Sequence, residues 1–403
     1  MNILVLAPQP FYQHRGTPIA VRELVTTLSG QGHHVDLLVY HEGQDVPLSE
    51  CQLVRTPRIA GLSGIRPGFS WKKLVCDSLM FAKAASLLSR RSYDVVHAVE
   101  EAVFMALVFK VLFRVPYVYD MDSSLVQQIT DCFRPARPAR PLLRSMERLA
   151  VRRSAGVVAV CRALEELARS YQADKRIARL EDKSLLGDAL PMDDLLETLD
   201  FGGPVMMYVG NLESHQGIDL LLQTHAIVTA REPNCHLVVI GGIPAHIEQY
   251  TRLAGRLGIL SRTHFLGPRP TAHLGHFLSQ AHVVVSPRIM GENTPMKVYS
   301  YLDSGRPVLA TRLPTHTQVM DDHMALLAVP TPEAMARGAL ALLGDPDLCR
   351  RLADRARQQV AEHYSQEAYE RKLGVFYREL EGDLQCSAAS RRKRLGRARV
   401  PTR

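Results

Sequence analysis

The sequence predicts an α/β protein built from two tandem, doubly wound parallel sheets. Three observations carry that prediction. Short, nearly continuous apolar runs such as Asn2 to Ala7 and Val205 to Val209 read as strands buried on both faces, and they alternate with segments of helical period. The alternation fades around Leu185 to Gly203, where Gly, Pro and acidic residues collect, and then starts afresh. At 403 residues the chain is also longer than one core ordinarily fills.

The first half opens with a strand over Asn2 to Ala7 and a loop through Pro8, Pro10 and Arg15-Gly16-Thr17. Val21, Leu24, Val25 and Leu28 then share one helical face until Gly30 and Gly32 stop the helix, and a strand over His34 to Tyr40 completes a parallel strand, helix, strand unit. From 44 to 75, Pro, Gly and Arg surround Trp71, and an irregular loop is expected. Strands over Asp94 to Ala98, Tyr117 to Asp120 and Gly156 to Val160 follow, with helices over Glu100 to Phe113, Leu143 to Arg153 and Ala163 to Ser170. In the second half, strands are expected at 205 to 209, 236 to 240, 264 to 266, 282 to 286, 307 to 311 and 325 to 329, with helices between them. The implied organisation is a Rossmann-like domain over 1–185, a linker over 186–203 and a second Rossmann-like domain over 204–365. A helix over 366–382 and a basic disordered tail over 383–403 close the chain.

Composition narrows the class. Apolar and charged fractions of 46% and 22% are those of an ordinary globular protein. Seven scattered cysteines without a CxxC spacing fit a reducing compartment, and the chain enters a strand at once, without the pattern of a secretory signal. A cytoplasmic protein is expected. The segment from Ser387 to Arg403 supplies +7 of the net +8, so the body is nearly neutral and lacks the basic, aromatic-studded face of a nucleic-acid binder. The tail suits an anionic membrane surface, which would make the protein peripheral at the inner face; a solvated, solubilising end is the other reading. Arg144, Arg148 and Arg152 stack on one helical face that could meet acidic headgroups or a phosphorylated acceptor, or be a solvated face partly balanced by Glu147.

Ligands of open α/β sheets bind beyond the carboxyl ends of the strands. Two such domains facing each other would line a cleft, to which the first would bring Gly16 and Thr17, and the second Gly210, Gly241-Gly242, Gly267 and the loop from Arg288 to Lys297. That loop gathers two cations, a carboxylate (Glu292), an amide (Asn293) and a helix start at Thr294-Pro295, with Thr294 as cap and Pro295 as first residue. Lys297 would sit in the first turn, where the helix dipole repels it unless an anion is present. The group suits a phosphorylated, hydroxyl-rich ligand.

Several stretches together resemble the GT-B glycosyltransferases of family 4 type, over residues 1 to 380. They are RGTPIAVRELVTTLSGQGHHVDLLVY, YDVVHAVEEA, MERLAVRRSAGVVAVCRALEELA, MYVGNLESHQGIDLLLQTHAIV, FLGPRPTAHLGHFLSQAHVVVSPR and GENTPMKVYSYLDSGRPVLAT. The resemblance implies a nucleotide-sugar donor held by the second domain, a glycan or lipid-linked acceptor facing the first, and a last helix crossing back to the first. No cofactor or metal is implied. The family's paired glutamates fall on Glu292 and Ser300; Glu292, with Asn293, Thr294, Pro295 and Met296 after it, would hold the donor sugar, while ribose recognition at Ser300 would be weaker or differently supplied. Asn211 and Gln216 replace the usual arginine and lysine, so Arg288 and Lys297, with Arg15 third, would have to stabilise the diphosphate. His97 keeps one half of a histidine pair whose other position is Val99. Catalytic roles are thus expected for Glu292, His97 and Lys297, and donor contacts for Gly16, Thr17, Gly210, Asn211, Gln216, Gly242, Arg288, Asn293, Thr294, Pro295, Met296 and Ser300. Transfer with retention, in which a donor phosphate oxygen takes the acceptor proton, is the implied chemistry. The pair Asp120 and Asp122 forms a DxD, a weak metal signal. An epimerase on the same fold and a catalytically silent sugar-nucleotide-binding protein are the alternatives.

Overall fold

The structure is a computed structural model that describes residues 1–397 except 14–15, 49, 60, 66–69, 125, 127–128, 130–137, 188–198 and 292, with side chains described through 386. It forms two compact units: Met1–Glu181 together with the segment from Glu370 onward, and Asp182–Tyr369. The first unit therefore ends at 181 rather than 185. The reason lies in the following residues, which bond to the second unit: Ser184 N donates to Tyr364 O (3.3 Å) and Leu185 N to Ser300 Oγ (2.9 Å).

The first unit is a seven-stranded sheet in the order β3-β2-β1-β4-β5-β6-β7, every pair parallel. Its strands are β1 (Asn2–Ala7), β2 (His34–Val39), β3 (Cys51–Arg55), β4 (Val95–Val99), β5 (Tyr117–Met121), β6 (Gly156–Ala159) and β7 (Ile177–Arg179). The helices are α1 (Gly16–Gly30), α2 (Trp71–Arg90), α3 (Ala102–Leu112), α4 (Arg140–Arg153) and α5 (Arg162–Tyr171). Buried residues of α2 to α5, among them Met80, Phe109, Ala150 and Leu164, join Leu4, Leu6 and Tyr119 in one core, which places these four helices on the same face of the sheet. Alternate residues of a strand point to opposite faces, so Ile3 and Val5 lie on the other one.

Three of these elements are absent from the sequence reading. β3 and β7 are edge strands of five and three residues, only half buried, and offer little apolar signal. α2 is masked in sequence by its narrow apolar stripe, Cys76, Met80, Ala84 and Leu88, on an otherwise mixed helix. Ser70 caps it by accepting from Lys73 N (3.2 Å).

The second unit is a six-stranded parallel sheet in the order β10-β9-β8-β11-β12-β13. It comprises β8 (Val205–Val209), β9 (His236–Ile240), β10 (Thr263–Gly267), β11 (Val283–Ser286), β12 (Val308–Thr311) and β13 (Leu326–Ala328). Its helices are α6 (Ile218–Thr229), α7 (Pro244–Arg256), α8 (Leu274–Ser279), α9 (Lys297–Asp303), α10 (Pro314–Thr317), α11 (Pro332–Gly344) and α12 (Pro346–His363).

The last helix, α13 (Gln366–Arg397), starts in the second unit and belongs to the first from Glu370. Gly156 on β6 is the contact that admits it: a Cβ there would stand 2.7 Å from Phe376 Cζ, so only glycine lets the ring lie on the strand. The helix runs past 382, where the sequence reading ended it and began a disordered tail. Residues 383–397 contain no proline and are mostly Ala, Leu, Gln, Arg and Lys, all strong helix formers. Residues 398–403 lie outside the described residues.

Candidate functional site

In an open parallel sheet the ligand crevice lies where the strand order reverses. In the second unit that point is between β8 and β11, which pair with each other while their chains continue to opposite sides. Gly210 follows β8, and the loop of Arg288 and Lys297 follows β11. The sequence-predicted cations therefore converge on the switch point.

Lys297 opens α9. Its Nζ lies 3.8 Å from the Tyr208 ring centroid and donates to Gln216 Oε1 at 2.9 Å. The side chain crosses Gly210, where a Cβ would meet Nζ at 2.9 Å and the Tyr208 hydroxyl at 3.1 Å; φ there is +151°, a region closed to most side chains. Gly210 is needed for the lysine above it. Arg288 is 8% exposed; its Nε donates to Met290 O (2.7 Å) and one terminal nitrogen to Asn293 Oδ1 (3.2 Å). Among the described residues no carboxylate pairs with either cation. Burial lowers the pKa of both, and for Lys297 the nearby Arg288 lowers it further, as happens to cations that meet no described counter-charge.

Side chains the sequence reading did not single out hold this loop. His316 is buried and engages Ser286 Oγ (2.8 Å), Thr311 Oγ1 (3.1 Å) and Thr311 O (2.8 Å). Thr311 Oγ1 donates to Arg288 O (2.5 Å), Thr315 Oγ1 to Asn293 O (2.7 Å), and Ile289 N to His215 O (3.0 Å). Burial, with smaller contributions from Lys297 and Arg288, brings the His316 pKa down to about 4, so the ring is a neutral scaffold. Its only sequence signal is a position just beyond a strand's carboxyl end. Tyr208, the aromatic floor under Lys297, sits in an apolar strand and reads as core.

The remaining expected residues divide. Asn293 is bonded on both sides, as just described. Asn211 is exposed, and its carbonyl accepts the Tyr208 hydroxyl at 2.5 Å. Gln216 is buried, its amide nitrogen 3.0 Å from His215 Nε2, so it anchors Lys297 rather than standing as a second cation. Thr294 does not cap the helix: α9 begins at Lys297 after Met296, and the buried Thr294 hydroxyl has no partner among the described residues. Pro295 therefore precedes the helix, its carbonyl accepting from Val298 N (2.9 Å). Ser300 is fully buried and accepts from Leu185 N, which leaves its hydroxyl no route to a ribose. The space over Gly242 is filled by Leu212, 2.5 Å from where a Cβ would be, so this glycine serves packing. Glu292 and Arg15 lie outside the described residues.

In the first unit, Gly16 and Thr17 form the first turn of α1, and nothing approaches Gly16 closely. His97 is wholly buried on β4, with Nδ1 2.7 Å from the Tyr377 hydroxyl and Nε2 3.0 Å from Asp120 Oδ2. Both ring nitrogens are occupied and no face is open to substrate, so in this structure His97 ties α13 to the sheet instead of reaching a reacting atom. Asp120 is the first carboxylate of the DxD and is committed to that histidine. Among the described residues no group of three or more His, Cys, Asp or Glu is placed to hold a metal ion.

The second unit thus brings a buried arginine and a half-buried lysine, with no described carboxylate on either, to the switch point of its parallel sheet, an arrangement suited to an anionic ligand. Residues 15–180 match the family profile described as glycosyl transferase 4-like domain, and residues 197–359 match glycosyl transferases group 1. The chain is a glycosyltransferase of the GT-B, family 4 type. The alpha-D-kanosaminyltransferase of Streptomyces kanamyceticus is 27% identical over 300 residues, 69% of this chain and 74% of that protein. The D-inositol 3-phosphate glycosyltransferase of Corynebacterium diphtheriae is 32% identical over 181 residues, 43% of this chain and 42% of its own length. The fold matches sucrose-phosphate synthase from Thermosynechococcus elongatus at a TM-score of 0.76 and 20% identity, over 95% of this chain and 99% of that one. Anabaena HepE in complex with UDP and glucose matches at 0.71 and 13%, over 94% and 100%.

Proposed function

We propose that this protein transfers a sugar, with retention of anomeric configuration, from a nucleoside diphosphate sugar to a glycan or lipid-linked acceptor in cell-surface polysaccharide or glycolipid synthesis. The observation that carries the donor half is the pair of cations, Arg288 buried and Lys297 half-buried, with no described carboxylate between them. A leaving diphosphate develops charge, and preorganised cations in a water-poor crevice stabilise it strongly. Lys297 is the residue assigned to that charge, Arg288 its partner, and Glu292 with the amides after it the holder of the sugar hydroxyls. With Ser300 occupied by Leu185, the ribose is recognised by other groups. A donor phosphate oxygen serves as the base.

The relatives named above are transferases, which gives the epimerase and silent-protein readings no support. HepE was solved with UDP, so uridine diphosphate sugars are the first donors to test. Among the described residues no helix is long and apolar enough to cross a membrane. Purified protein is incubated with a panel of nucleotide sugars, with and without a lipid and glycan extract, and released nucleoside diphosphate is measured. Acceptor-dependent release, with a product whose anomeric proton coupling matches the donor, is the expected result. Donor binding without release would overturn the transfer, and an inverted coupling would overturn retention.

A further inference from the structure

Helices α3 and α4 lie side by side on the same face of the first sheet, and their outer surfaces have an unusual make-up. α3 is apolar almost throughout: Val108, Val111 and Leu112 are 42%, 73% and 63% exposed, and its one charge, Lys110, is turned to donate to Arg153 O on α4 at 2.5 Å. α4 adds Leu142, Met146 and Leu149 at 64%, 41% and 44% exposure, spaced as one stripe. Beside that stripe runs a second one, Arg144, Arg148 and Arg152, all exposed, with Arg140 and Arg153 at the helix ends and Arg114 just beyond α3. The only acidic residue of either helix, Glu147, faces inward: it is 1% exposed and accepts from Ser124 (3.1 Å) and Tyr171 (2.8 Å). It does not balance the arginines as the sequence reading allowed.

A surface helix in water normally turns charge outward and apolar residues inward. Here two neighbouring helices expose six large apolar side chains bordered by cations, with no exposed acid on either. An anionic lipid surface satisfies both features together, because the apolar stripe sinks to the headgroup boundary while guanidinium groups pair with phosphates. We infer that the α3–α4 face is a docking surface for an anionic bilayer. The proposal assigns attachment to the folded body, independently of the basic residues at the end of α13 and independently of which sugar is transferred.

The test uses the full chain and sedimentation with phosphatidylcholine vesicles, with or without phosphatidylglycerol. Three proteins are compared with the parent: Val111→Ser with Leu112→Ser and Leu149→Ser; Arg144→Gln with Arg148→Gln and Arg152→Gln; and a chain ending at residue 386. The substituted residues are exposed, and circular dichroism verifies the fold. Binding of the parent only to anionic vesicles is expected, weakened on the order of a hundredfold by the triple arginine change, at about 1 kcal/mol per charge removed. The serine variant should lose most binding, and the shortened chain should retain it. Three results would overturn the proposal: unchanged binding in both triple variants, full loss on shortening alone, or a parent dimer in sedimentation equilibrium that the serine variant abolishes while vesicle binding is absent.

Discussion

Lys297 Nζ stands 3.8 Å from the centre of the Tyr208 ring and 2.9 Å from Gln216 Oε1, held by a π face and an amide and by no described carboxylate. A neutral pair of neighbours holds the side chain in place without supplying a counter-charge. Lys297→Ala should weaken nucleoside diphosphate binding by about 1.5–3 kcal/mol, the range for a bond to a charged group. Thermal stability of the unliganded protein should change little, since no ion pair to a described carboxylate is removed. Titration calorimetry and melting curves check both, and equal affinity in the variant would remove the phosphate role. Because burial and then Arg288 depress the Lys297 pKa, a bound anion restores the ammonium. Binding in alkaline buffer should take up protons, seen as an enthalpy that depends on the buffer's ionisation heat, and Lys297→Met should take up fewer.

Gly210→Ala tests whether the glycine serves the lysine. A Cβ would displace both Nζ and the Tyr208 hydroxyl, and the positive φ adds strain of about 1 kcal/mol or more. Donor affinity should fall by a margin similar to that of Lys297→Ala, although no group that touches a ligand has been removed. Combining the two substitutions should give much less than the sum of their effects.

His97→Gln and Tyr377→Phe should each cost about 1–3 kcal/mol of unfolding free energy, because each leaves a buried polar partner unsatisfied. Denaturant titrations of the two single variants and the double variant would give the coupling. Turnover per folded molecule should stay within a few-fold of the parent. A fully folded His97→Gln protein without activity would restore the catalytic role the family pattern implies.

His316 bears on acid stability. Its folded pKa of about 4 lies below the ordinary 6.5, so between those values the unfolded chain binds more protons. The contribution is whole above pH 6.5 and is lost as pH falls toward 4, by about 3 kcal/mol across the window. His316→Gln should flatten the stability profile there while loosening the loop of Arg288 and Asn293, and urea midpoints at a series of pH values would show it.

Much of this was legible beforehand. β1, β8 and β9 stand where apolar runs placed them, because a strand buried on both faces has no polar residues to hide its period. Arg288 and Lys297 were readable as cations beyond a strand end. Their neighbours were not: Tyr208 and His316 look like core residues, and only the parallel pairing of β8, β11 and β12 brings them beneath the loop. Ser300 and His97 show the opposite failure. Position within a motif suggested ligand contact, while burial and local partners, Leu185 for one and Asp120 with Tyr377 for the other, had already used their polar atoms.

The return of α13 to the first unit also sets an order of events during synthesis. Translation runs from the amino end, so the strand bearing Gly156 and the buried His97 emerges long before Phe376 and Tyr377 exist to cover them. The second unit, contiguous from Asp182 to Tyr369, is complete by then. A nascent chain thus carries an amino-terminal unit with one open seam until its final helix leaves the ribosome, and a stop codon before Glu370 would leave that seam permanently unsealed.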